Sequence, residues 1–210
     1  MAVLKKHWVP VLAPEMFKRE QLGESYVLET DSLQGRGISV NLMNLTGDMK
    51  KQNLTVSFRV TSVKDGKADT RVTGIQMQSS SVKRLVRRGR NKIEDSFLIT
   101  LKGGMTARIK PLIITKSLTN NATAAAVRHE ARTLLTAIAP ELTFETLIHD
   151  IVNFKLQRYA RSKLERVYPI RSVDIRICRL ETKHALEAEQ PVEESGYAQG
   201  QSSDEDAERS

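Results

Sequence analysis

Apolar residues recur at every second position through the first half of the chain, switch to helical spacing after residue 120, and return to alternation near residue 175. Period two marks half-buried strands and a period near 3.6 marks amphipathic helices, so two kinds of element must share one core. Ser25 to Glu29 and Gly37 to Met43 alternate, with Gly35-Arg36-Gly37 marking a turn between them. Leu54 to Val60 and Thr70 to Met77 alternate around Asp65-Gly66, the composition of a tight hairpin turn. Ser79 to Arg88 reads as a short helix that buries Val82, Leu85 and Val86 and stops before Gly89. A second hairpin, Ile93 to Leu101 and Met105 to Thr115, turns at Gly103-Gly104.

Asn120 or Asn121 can cap a helix that Pro140 stops, and Thr143 can cap the next. The apolar stripe from Leu147 through Val167 carries a break near Asn153 and ends at Pro169. Val173, Ile175 and Ile177 then form a last strand that must rejoin the sheet. The fold class expected is α+β: an antiparallel sheet, flat or barrel-like, packed with three or four α-helices. Residues 1–186 form one domain. Residues 187–210 mix acids with Ser, Gly and Pro and hold too few apolar residues to offset the entropy of ordering, so this tail is expected to be disordered.

Charge divides along the same boundary. From Glu187 onward eight carboxylates face one base, Arg209, a net −7; since the whole chain is +8, residues 1–186 carry +15. So cationic a body repels itself, and a polyanion relieves that repulsion. Nucleic acid and an anionic membrane surface are the two polyanions to weigh, beside a basic protein that is merely soluble. No stretch approaches the ~20 apolar residues of a membrane span, the N-terminus has no signal-peptide core, and the one short basic helix lacks a broad apolar face. A single cysteine, Cys178, cannot form an internal disulfide; this suits a cytoplasmic setting.

Catalytic and metal-binding patterns are missing from the sequence. His7, His129, His149 and His184 share no ligand spacing with each other or with Cys178, so no metal is expected. Adjacent residues on a helix diverge by about 100°, which leaves His149-Asp150 as two surface positions rather than an acid–base pair. No phosphate-binding glycine loop occurs. No enzyme activity and no cofactor are expected.

The bases are better organised. Lys83, Arg84, Arg87, Arg88, Arg90 and Lys92 place six cations in ten residues without an acid. On an unbroken helix Lys83, Arg87 and Arg90 share one face and Arg84 and Arg88 the next. A solvated helix face would interleave acids, so this segment favours phosphate, which the arginine fork grips in two places. Arg108 and Lys110 fall on one face of a strand, with Lys116 beyond. Lys155, Arg158, Arg161 and Arg166 line a helix, although Glu165 is placed to answer Arg161. Lys5, Lys6 and Trp8 open the chain; Trp8 can stack on a base, or pack in the core with Val9, Val11 and Leu12. With 5% aromatic residues and no aromatic RNA-binding strand, recognition of backbone and shape in folded RNA is the expected mode.

Three stretches resemble one family. Lys5-Lys6-His7-Trp8 followed by Ala13-Pro14-Glu15-Met16-Phe17, Leu33-Gln34-Gly35-Arg36 with the alternation after it, and Val167-Tyr168-Pro169 with the strand that follows are similar, in order and spacing, to archaeal and eukaryotic small-subunit ribosomal proteins of the S-three-a-e type. The length is nearer the archaeal members. Gly89 stands where the family often has an aromatic residue. The resemblance adds Arg36 to the candidate RNA-binding residues. It implies a structural constituent of the small subunit, on the platform near the messenger RNA exit. Its implied partners are small-subunit ribosomal RNA, neighbouring platform proteins and messenger RNA, with no membrane. A free RNA-binding or RNA-processing factor of the same fold is the alternative.

Overall fold

A computed structural model describes residues 6–181; Lys5 and the acidic segment 187–210 lie outside it. Among the described residues the elements run β1 (His7–Leu12), β2 (Gln21–Val27), β3 (Gly37–Asn41), α1 (Leu42–Thr46), β4 (Leu54–Lys64), β5 (Lys67–Met77), α2 (Ser79–Leu85), β6 (Lys92–Glu94), β7 (Phe97–Thr100), β8 (Thr106–Thr115), α3 (Asn121–Ile138), α4 (Phe144–Val152), α5 (Lys155–Leu164) and β9 (Ile170–Leu180). The strands form one mixed sheet that branches at β5. One edge of β5 pairs with β4, which carries β3; the other takes β1 at its start and β9 at its end. Beyond β9 come β8 and then β6 and β7. All pairs are antiparallel except β1 with β5.

The last strand rejoins the sheet at its centre, as its alternation demanded. β9 lies between β5 and β8, and glycine at position 74 is what admits it. A Cβ on Gly74 would stand 2.9 Å from both the Arg179 Cβ and the Cys178 carbonyl oxygen. Phe58, Val56, Ile75, Ile109 and Cys178 on the inner face meet Leu147, Ile148 and Ile151 of α4 in the main core. Ile113 and Val173 pack on Val127, Ala131, Ala160 and Leu164 of α3 and α5. Val9, Val11, Val27, Leu33, Val60 and Ala68 fill a third cluster under β1 and β2. Burying side chains of this size stabilises by roughly 1.5–3 kcal/mol each, which is what outweighs chain entropy. Burial also pushes the Cys178 thiol up to about 12, so it stays protonated and unreactive.

The strand expected over Ser25 to Glu29 runs over Gln21–Val27 instead, and β1, parallel to β5, was not among the strands expected. Three further elements depart from the sequence reading, each for a local reason. The strand from Gly37 ends at Asn41, not Met43: the Asn41 side chain accepts from the Met43 amide at 2.9 Å and caps α1, burying Leu42 and Leu45. The helix from Ser79 ends at Leu85 rather than Arg88, because Val86 is extended (φ −83°, ψ 112°). Val82, Leu85 and Val86 do pack against the main core. The arm from Ile93 is two strands, β6 and β7, interrupted where Asp95 takes both the Ser96 amide and a forked bond from Arg132 of α3. Elsewhere the local signals hold: Asn120 accepts from the Thr123 amide, Thr143 from the Thr146 amide, and the helical stripe breaks at Phe154 (φ 56°).

Candidate nucleic-acid interface

The cations of residues 83–90 occupy the last turn of α2 and the loop after it. Because α2 stops at Leu85, Arg87 and Arg90 do not share a helix face with Lys83; the loop redistributes them. Lys83, Arg84, Arg87 and Arg88 are exposed and Arg90 is half-buried. Arg84 donates to the Ser81 hydroxyl at 2.9 Å, a neutral partner that leaves its charge unmatched. The far end of the loop is pinned to β8. The Asn91 amide donates to Thr115 Oγ1 at 2.8 Å, its side chain donates to the Thr119 carbonyl at 3.0 Å, and the Thr115 amide donates to the Asn91 carbonyl.

That anchoring sets Arg90 beside Lys116. The Lys116 amide donates to the Pro169 carbonyl, which adds Arg171 to the same end of the sheet. Arg171 escapes a reading for charge runs, since it is an isolated base that β8–β9 pairing delivers here. Among the described residues none of these seven cations pairs with a carboxylate.

Several other sequence candidates have partners within the chain. Lys92 donates to Glu94 at 2.8 Å, and Glu94 also holds Arg176 at 3.0 Å. The hydrogen bond from Lys92 holds the Glu94 carboxyl below its ordinary value against partial burial, helped by both positive charges. Arg108 is largely covered and meets Glu181 at 2.6 Å, while Lys110, on the same strand face, is half-buried. Lys116, just past the end of β8, stands six residues from Lys110, roughly 20 Å at strand spacing, so it belongs with Arg90 rather than with that pair. Arg158 donates to the carbonyls of Asn153 (2.9 Å) and Phe154 (3.2 Å), Arg161 meets Glu165 at 3.0 Å, and Lys155 lies 3.9 Å from Asp150. Arg166 is exposed.

Trp8 is at the surface, not in the core: 62% of it is exposed while its neighbours Val9 and Val11 are buried. It stands opposite Tyr26 across β1–β2, ring centroids 4.8 Å apart, with the Lys6 ammonium 5.8 Å from the Tyr26 ring. Arg36 donates to the Ser25 hydroxyl of β2. The tryptophan was legible as a stacking candidate; Tyr26 was not, because only strand register pairs them.

Among the described residues no cluster of His, Cys, Asp or Glu could hold a metal ion, and no helix is long and apolar enough to cross a membrane. An α+β body whose basic end has no carboxylate partner among the described residues offers a surface complementary to a polyanion. Residues 2–184 match the Ribosomal S3Ae family, and the chain belongs to it. It is 31% identical over 179 residues to small ribosomal subunit protein eS1 of Halorubrum lacusprofundi, covering 85% of this chain and 83% of the relative. The same-named protein of Nanoarchaeum equitans is 30% identical over 184 residues, covering 87% and 93%. That of Methanothrix thermoacetophila is 32% identical over 171 residues, covering 81% of each. Family membership makes the chain an archaeal-type small-subunit ribosomal protein, a non-catalytic component of a cytoplasmic ribonucleoprotein that serves translation.

Proposed function

We propose that the chain binds small-subunit ribosomal RNA on the platform, near the messenger RNA exit, and that Lys83, Arg84, Arg87, Arg88 and Arg90, with Lys116 and Arg171, are its principal phosphate contacts. The observation that carries this is the absence of a carboxylate partner for any of them among the described residues. Cations without a carboxylate partner release counterions when they meet a phosphate backbone. Trp8 and Tyr26 add a stacking platform for an unpaired base. Family membership supports the platform and, with it, neighbouring platform proteins and messenger RNA as further partners.

Two measurements test the reading. In a sucrose gradient of a cell extract the protein should sediment with small subunits; a chain left among light soluble proteins while subunits sediment would be a free RNA-binding factor. Position on the subunit is checked with Arg88→Cys carrying a tethered radical source, since Cys178 is buried and its thiol unreactive. Cleavage should fall in ribosomal RNA near its 3′ end. Cuts confined to another region would remove the platform assignment.

A further inference from the structure

Strand register gathers a second set of cations that the sequence scatters. Arg59 of β4 stands directly opposite Arg71 of β5, and Arg179 of β9 stands between Gly74 of β5 and Arg108 of β8. Their chain neighbours Phe58, Val72 and Cys178 are buried in the main core, so the arginines occupy the other face of the sheet. Arg59, Arg71 and Arg179 are exposed, and among the described residues none meets a carboxylate.

The same face carries uncharged donors. Ser39 pairs across β3–β4 with Ser57, their hydroxyls 3.1 Å apart, and Ser57 lies opposite Gly74. Gln76 stands in the next row, between Thr55 and Ile177. A hollow lies over this row, its lining including Ser57, Arg59, Thr73, Gly74, Gln76 and Arg179.

Like charges set directly opposite on a sheet repel, and Arg59 with Arg71 is such a pair, with no carboxylate at ion-pair distance among the described residues. Guanidinium forks beside hydroxyl and amide donors match phosphate and sugar oxygens. We propose that the outer face of β4, β5 and β9 is a second RNA surface, gripping sugar–phosphate backbone with one phosphate seated over Gly74. This rests on the ribosomal-RNA reading above and extends it to a face remote in sequence from residues 83–90.

The test is filter binding of the full chain to in-vitro-transcribed small-subunit ribosomal RNA across a salt series, with transfer RNA as control. Arg59→Ala/Arg71→Ala/Arg179→Ala should flatten the log K against log salt plot by about two to three units, as an Ala triple at Arg87, Arg88 and Arg90 should, and the combined set by about the sum. The sheet-face triple should melt no lower than wild type, because it removes a like-charge pair. Arg179→Gln alone, at an exposed position where folding is safe, should flatten the plot by about one unit. An unchanged slope for both sheet-face variants, beside a flattened one for the loop triple, overturns this proposal and leaves the first standing. The same unchanged slope with variants lost from assembled subunits marks an acidic protein as the occupant, and overturns it too. Wild-type binding no tighter than to transfer RNA overturns both.

Discussion

The loop after α2 and the helix α5 look alike as strings of bases and differ completely as surfaces. In α5 the Arg158 side chain reaches back to the Asn153 carbonyl and to the Phe154 carbonyl, which also accepts the Arg158 amide, and Arg161 finds Glu165 one turn on. Lys163 lies 5.7 Å from the Tyr159 ring. After α2 the extended Val86 removes the helical frame in which such partners recur, and the nearest acid along the chain, Glu94, is taken by Lys92 and Arg176. The charge a segment offers a partner is what remains after its own carboxylates and carbonyls have been served.

That difference makes the largest prediction. Arg87→Ala/Arg88→Ala/Arg90→Ala should flatten the salt dependence of RNA binding by about two to three units, whereas Arg158→Ala/Arg161→Ala should change it by less than about one. Equal losses in filter binding would erase the distinction between the two regions. Trp8→Ala comes next. Stacking on one base contributes about 1–3 kcal/mol, so affinity should fall roughly tenfold at every salt concentration, with the slope unmoved. A loss that fades as salt rises would instead tie Trp8 to the placement of Lys6.

What could be read from sequence was what neighbouring residues decide alone. Asp65-Gly66 makes its hairpin because both residues adopt positive φ (50° and 70°), which that dipeptide tolerates, and Asn120 and Thr143 cap helices through amides three residues on. The end of α2 at Leu85 was not readable, since Val86 turns extended where the chain must reach a Thr115 anchor 24 residues away from Asn91. The split between β6 and β7 hangs on Arg132, 37 residues from Asp95. Residues 83–90 were found because they are contiguous. Arg59, Arg71 and Arg179 were not, because strand register assembles them.

Stability should separate the two regions in the opposite sense from RNA binding. Arg158→Ala strips two hydrogen bonds from the end of α4 and should cost about 1 kcal/mol, a modest figure because the guanidinium is exposed. Arg87→Ala and Arg88→Ala should stay within about 0.5 kcal/mol of wild type. Urea midpoints read both. A loop arginine that proved as costly as Arg158 would have an internal partner after all.

The smallest effect extends the rule from cations to an anion. Asp174 of β9 stands opposite Leu112, and burial raises its carboxyl above the usual value, opposed only by the Ser172 hydrogen bond. The nearby Arg176 is spent on Glu94. A carboxyl whose folded pKa lies above its unfolded one works against folding when ionised, and that penalty is relieved as pH falls through the folded value. Asp174→Asn should therefore raise stability near neutral pH, by under about 1 kcal/mol, and the gain should vanish on acidification. Glu94→Gln has the reverse sign, because the Glu94 carboxyl is lowered by its partners. Its contribution is present above the unfolded pKa and lost as pH falls through the folded one, so the variant is weaker than wild type at neutral pH and matches it in acid. Thermal melts of both variants from about pH 3 to 7 measure the crossing directly. If Asp174→Asn is the less stable chain at neutral pH, the Asp174 carboxylate has a stabilising partner and its burial is not an uncompensated cost.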